Sequence, residues 1–190
     1  ERIINQKLNT FTIAGSSSDW NFVNDSQSLF KQEVTNQSED YQPELNPNFG
    51  VFIVDNITFI DYPPLESDFG NTTFLVPQET ILYKRINGIN TEESLLSTFE
   101  INNQKHALIN GEGIWRWRAQ CYLNTDSFEG FDNFIGKLVQ YLSSNKKRQR
   151  LSLDYKSFYD QNENIILNAQ FFNKNYEFDT NSNLQITYVN

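Results

Sequence analysis

The sequence predicts an α/β domain with antiparallel hairpin additions, followed by the first strands of a β-sandwich. Three observations carry that expectation: a strand-to-helix step near the start, two tight hairpins leading to an amphipathic helix in the middle, and a purely strand-like texture after Arg150. The domain is expected over 1–148 and the sandwich start over 149–190.

Residues 9–15, NTFTIAG, alternate as a strand does and stop at Gly15. Ser16, Ser17 and Ser18 then supply helix caps, and Trp20, Val23, Gln27 and Phe30 follow at helical spacing. From about 33 to 70 the chain is irregular and carries Pro43, Pro47, Pro63 and Pro64, so a structured insertion packed on the domain is expected there. TILYKRI ends at Asn87-Gly88, and SLLSTFEI and KHALING flank Asn102-Asn103. Both dipeptides favour two-residue turns, which force antiparallel pairing. Ser127 to Ser144 predicts a helix, with Phe128, Phe131, Phe134, Ile135, Leu138, Val139, Tyr141 and Leu142 on one broad apolar face. Lys146, Lys147, Arg148 and Arg150 sit at or beyond its end, where the helix dipole favours cations. Beyond them RLSLDYKSFYD, NIILNAQFFN and LQITYVN are strand-like runs, whose free edges predict pairing between chains.

Composition removes several functions. A net charge of -9 in 190 residues argues against a phosphate-backbone binder, and the KKRQR run fits a helix end better than a nucleic-acid patch. No apolar run approaches the roughly 20 residues that cross a bilayer. The chain begins at Glu1 and has no Met, so it is expected to be a piece of a longer protein.

The chemistry-bearing residues are sparse. His106 is the single histidine and Cys121 the single cysteine, too few for a four-ligand zinc site, and no acidic residue stands near His106 at the spacing of a His-x-Glu pair. Cys121 fits a small core hydrophobe, and His106 a satisfied strand histidine. The runs Asp160, Asn162, Asn164 and Asp179, Asn181, Asn183 share a D-x-N-x-N pattern that can hold calcium, yet they lack the loop Gly and the downstream Glu of such sites. Ordinary Asn-rich turns explain them as well. No cofactor or metal is expected.

The candidate motif is Gly111-Glu112-Gly113-Ile114-Trp115-Arg116-Trp117-Arg118. If 114–118 is extended, Trp115 and Trp117 share one face and Arg116 and Arg118 the other, a geometry that would stack on a sugar ring. The alternative is a structural corner in which Gly111 and Gly113 turn the chain, the tryptophans bury, and the arginines tie helix to sheet through carboxylates such as Asp126 or Asp132.

GEGIWRWR, followed by FEGFDNFIGKLVQYLS and preceded by NTFTIAGSSSDWN, YQPELNPNF, YPPLESDFG and ETILYKRING, resembles a group of large membrane-anchored bacterial proteins described as von Willebrand factor A and class I glutamine amidotransferase-like. The resemblance covers nearly the whole chain. It implies the C-terminal half of a flavodoxin-like, three-layer amidotransferase-type domain leading into an immunoglobulin-like or macroglobulin-like sandwich, placed outside the cytoplasm in the periplasm. Members with glutaminase activity use a Cys at a strand-to-helix elbow and a His-x-Glu pair. Here the elbow reads Gly15-Ser16-Ser17-Ser18 and His106 has no matching Glu, so no catalytic residue carries over. The expectation is a non-catalytic interaction or scaffold module with a protein partner or self-association. A carbohydrate- or peptide-binding module at Trp115 and Trp117 stands second, and an amidotransferase or hydrolase last.

Overall fold

The computed structural model of the chain describes residues 8–144, 151–154, 158–159, 161, 164–171, 183–185 and 187. The chain divides into two compact units, Glu1–Asn145 and Lys146–Asn190.

In the first unit, strand β1 (Thr10–Ala14) leads through Gly15 to a short helix, α1 (Trp20–Ser26). The cap is Asp19, not one of the serines: its Oδ1 accepts the Phe22 N–H at 3.0 Å. The helix stops a turn before the expected Phe30. Gln27 leaves the helical region (φ -147°, ψ 166°), and its side-chain oxygen accepts the N–H groups of Leu29 and Phe30 at 2.6 and 3.0 Å. Phe30 instead opens β2 (Phe30–Gln32), which pairs antiparallel with β5 (Thr72–Phe74). The expected insertion is part of the main sheet: it contains β3 (Ser38–Leu45) and β4 (Leu65–Asp68).

The hairpin signals act as their chemistry dictates. Asn87 and Gly88 (φ 49° and 82°) join β6 (Gln78–Ile86) to β7 (Ile89–Ile101). Asn102 and Asn103 (φ 51° and 62°) join β7 to β8 (Gln104–Asn110). Positive φ at both central residues is the turn whose twist matches the flanking strands. After the octet's glycines come α2 (Trp115–Thr125) and α3 (Glu129–Ser143). Asp126 separates them in the left-handed region (φ 53°), its N–H donating to the Tyr122 carbonyl at 2.8 Å.

The sheet order is β1-β8-β7-β6-β3-β4. This overturns the flavodoxin-like α/β expectation. A doubly wound sheet needs parallel neighbours joined by crossover helices; here β1–β8 is the single parallel pair of the six-stranded sheet, and its other neighbours run antiparallel. Among the described residues strand outweighs helix, 38% against 22%. The domain is mostly β and mixed, with the hairpins as its body and not as additions.

Side chains alternate across the sheet, so β8 feeds two apolar clusters: Ala107 and Ile109 enter one, Leu108 the other. The first cluster gathers Leu65, Ile81, Leu96, Trp117, Phe134 and Leu138 under α2 and α3. The second, opposite, gathers Trp20, Phe30, Phe99 and Leu108 under α1 and the β2–β5 ribbon. On α3 the buried side is Phe131, Phe134, Leu138 and Leu142, while Val139 faces solvent and Phe128, just before the helix, is partly exposed.

In the second unit, β9 (Leu151–Asp154) pairs antiparallel with β10 (Asn168–Phe171), with Leu151 opposite Phe171. The basic run 146–150, most of both D-x-N-x-N runs and most of LQITYVN lie outside the described residues.

Candidate functional site

The octet divides its residues between core and surface. Gly111 follows β8 so closely that a Cβ there would sit 2.6 Å from the Leu65 Cβ. Glu112 forms a two-hydrogen-bond bridge with Glu66 (N···O 2.8 and 3.2 Å). Gly113 takes φ 95°, a conformation that L side chains resist. Arg116 N–H then donates to the Gly113 carbonyl and Trp117 N–H to that of Ile114, at 2.9 and 3.0 Å, so the chain is already helical where an extended stretch was expected. Two residues apart on a helix is about 200° of rotation, and the tryptophans part company. Trp117 is fully buried, donates from Nε1 to the Pro63 carbonyl at 2.8 Å and meets the Phe59 ring edge-on at 5.3 Å. Trp115 is 71% exposed. The two-tryptophan sugar platform does not form.

The arginines differ likewise. Arg116 donates from Nη2 to the Pro64 carbonyl at 2.7 Å, so it and Trp117 together hold the two prolines of the 46–64 segment. Arg118 bonds both Asp132 oxygens, at 2.8 and 3.0 Å, and lies 3.9 Å over the Phe128 ring, clamping α2 to α3. The same helix pair presents Trp115, Tyr122, Leu123 and Phe128 outward, with the Tyr122 and Phe128 rings stacked at 4.7 Å. A helix with large apolar side chains on both faces explains why periodicity did not reveal α2 in the sequence.

His106 and Cys121 are not brought together. His106 is buried on the side of Phe99, whose ring it stacks at 5.5 Å, and its Nδ1 lies 2.8 Å from the Thr10 hydroxyl. Burial holds it below the ordinary histidine range. Cys121 is buried in the opposite cluster, against Tyr62 and Gly130; burial and the contact with that sulfur push the Tyr62 phenol above its ordinary range. Asp126 and Asp132, named as arginine anchors, take separate tasks: helix break and ion pair.

A second feature was not legible in the sequence. β1 and β8 end side by side, and the loops that follow them, Gly15–Asp19 and Gly111–Ile114, meet at one edge. The Ser17 N–H donates to Glu112 Oε1 at 2.5 Å, and the Ser16 hydroxyl to Glu66 Oε1 at 2.9 Å. Beside these loops lies a crevice of about 550 Å³, lined by the serines, Asp19, Trp20, Gln37, Glu66 and Asp68 among others, and by no Lys, Arg or His among the described residues. Behind it, Asn110 donates to Gln32 and Thr72 at 2.9 and 2.8 Å and accepts from the Ser67 hydroxyl at 2.6 Å. That buried net fixes the strand ends. Asp68 is itself buried, and its Oδ2 has no hydrogen-bond partner among the described residues; the same is true of the buried Trp20 Nε1. The nearby buried cation, Lys84, is committed elsewhere, 3.4 Å from Glu93 and 4.5 Å over the Tyr41 ring. Desolvation lowers its pKa, against the opposing pull of Glu93 and, more weakly, Asp68. The two acids of a short strand that follows a proline pair, as in PPLESD, have no signature that announces a crevice.

No protein-family model, curated protein or solved structure matches the chain. The resemblance therefore rests on the GEGIWRWR octet and its flanking segments alone.

Proposed function

We propose that the chain is a non-catalytic interaction or scaffold module of a larger membrane-anchored protein, and that it receives a protein partner on the outer face of α2. The observation that carries this is the division of that helix: Trp117 and Cys121 pack inward, while Trp115, Tyr122 and Leu123 stand in solvent at 71, 44 and 75% exposure. Trp, Tyr and Arg are the residue types enriched at the energetic centre of protein interfaces, and Trp115, Tyr122 and Arg118 stand together on this side of α2. The burial of His106 and Cys121 on opposite faces of the sheet supports the non-catalytic reading. The membrane-anchored, periplasmic setting rests on the family resemblance.

A carbohydrate- or peptide-binding role is the second reading, favoured by the exposure of Trp115, although a single indole must then do the stacking. An amidotransferase or hydrolase stays last.

The test places a photo-crosslinking residue at 123 in the full-length protein, with position 140, exposed on α3, as the control. A discrete adduct from 123 that disappears in the Trp115→Ser background supports partner docking, and an adduct of twice the mass identifies the partner as a second copy. Equal labelling from 123 and 140, or an adduct indifferent to Trp115, removes the proposal.

A further inference from the structure

We propose that the crevice between the loop after β1, the 34–38 segment and β4 is a binding site for an organic cation, an ammonium or guanidinium group carried by a small molecule or a basic side chain. It is a separate place from the α2 face and stands independently of it.

The site is built, not incidental. Its volume, about 550 Å³, lies in the range of small-molecule pockets. Its walls are locked together by close backbone approach and by hydrogen bonds. A Cβ on Gly15 would come within 2.7 Å of the Glu112 nitrogen and the Glu66 carbonyl. Ser17 and Ser16 anchor to Glu112 and Glu66. The buried Asn110–Gln32–Thr72–Ser67 net supports the segment that carries Asp68.

The charge pattern selects the ligand. Asp19, Glu66 and Asp68 line the crevice without a lining cation among the described residues. Glu66 keeps lone pairs after accepting Ser16, and Asp19 after capping α1. Asp68 lines the crevice at 6% exposure, its Oδ2 is buried without a hydrogen-bond partner, and a carboxylate so placed is stabilised by a cationic N–H donor at the crevice wall. The serine hydroxyls and the Gln37 and Asn36 amides that share the lining accept further N–H groups. Anions are excluded by sign. A divalent metal is disfavoured because, among the described residues, no group of three or more His, Cys, Asp or Glu is placed to hold one. A neutral sugar is disfavoured because Trp20, the aromatic of the lining, is 3% exposed and offers no face for stacking.

The experiment is calorimetric titration of the intact chain with agmatine, which carries both an ammonium and a guanidinium group, with calcium and glucose as comparators. Agmatine is expected to bind saturably at one site, and the isosteric Asp68→Asn variant to bind at least about tenfold more weakly, the loss of a charge-assisted hydrogen bond. Glu66→Gln, which retains the Ser16 hydrogen bond, is expected to weaken binding as well and serves if Asp68→Asn does not fold. No saturable agmatine binding, unchanged affinity in a folded Asp68→Asn or Glu66→Gln protein, or tighter binding of calcium or glucose at the same carboxylates would each overturn the assignment.

Discussion

At the scale of residues, spacing decided less than the identity of the local backbone. Trp115 and Trp117 alternate with Arg116 and Arg118, a pattern that suits a strand; because Gly113 turns the chain at φ 95° and the next residues close helical hydrogen bonds, the alternation becomes opposition. The sequence offered Asp126 or Asp132 as carboxylates through which the arginines tie helix to sheet; Arg118 pairs with Asp132 but joins helix to helix, and Asp126 ends α2 instead. The sequence did not show Arg116 reaching a proline carbonyl, since backbone acceptors leave no residue-type signal. Asp68 and Glu66 were equally invisible, because a carboxylate's burial is set by strands distant in sequence. His106 carries a prediction of its own. Its folded pKa is lowered by burial, so on acidification the unfolded chain takes up this proton first, near the ordinary value of about 6.5. Its contribution to stability is whole above that pH and is lost as the pH falls toward the folded value. Urea unfolding at pH 7.5 and 5.5 should show a larger acid-induced loss for wild type than for His106→Gln; equal losses would mean that the ring is not held neutral.

At the scale of elements, turns were read well and helices unevenly. Asn87-Gly88 and Asn102-Asn103 place β6, β7 and β8 correctly because left-handed backbone is a local property of those residues. The helix α3 was legible from its apolar face, although it begins two residues later than expected. The shortness of α1 was not, since Gln27 ends it through side-chain bonds to backbone N–H groups. The loop after β1 provides the element-scale test. Gly15 sits against the backbone of Glu112 and Glu66, where neither neighbour yields easily. Gly15→Ala should therefore destabilise the domain by about 1–3 kcal/mol, measured by chemical denaturation, the cost of forcing atoms into a packed site. A neutral substitution would show that the two loops are not locked together.

At the scale of the whole molecule, the fold class was the element of the reading that failed, and the reason is topological. A strand followed by a helix near the start suggested a βα unit, but nothing local tells whether the next strand will pair parallel through a crossover or antiparallel through a hairpin. The long segment between β1 and β8 chose hairpins, so the single parallel pair sits at one edge of an otherwise antiparallel sheet. That arrangement brings the ends of β1 and β8 side by side, with the acidic crevice against the loop after β1, while α2 lies across the first apolar cluster and turns Trp115, Tyr122 and Leu123 outward. His106 and Cys121 are committed to the interior, and the docking face proposed above is the exposed side of α2. Hydroxyl-radical footprinting with mass spectrometry tests this most directly, comparing Trp115 and Tyr122 in the isolated chain and in the full-length protein in its native membrane. The proposal predicts strong modification of both in the isolated chain and clear protection in the assembled protein; equal modification in the two states would contradict it.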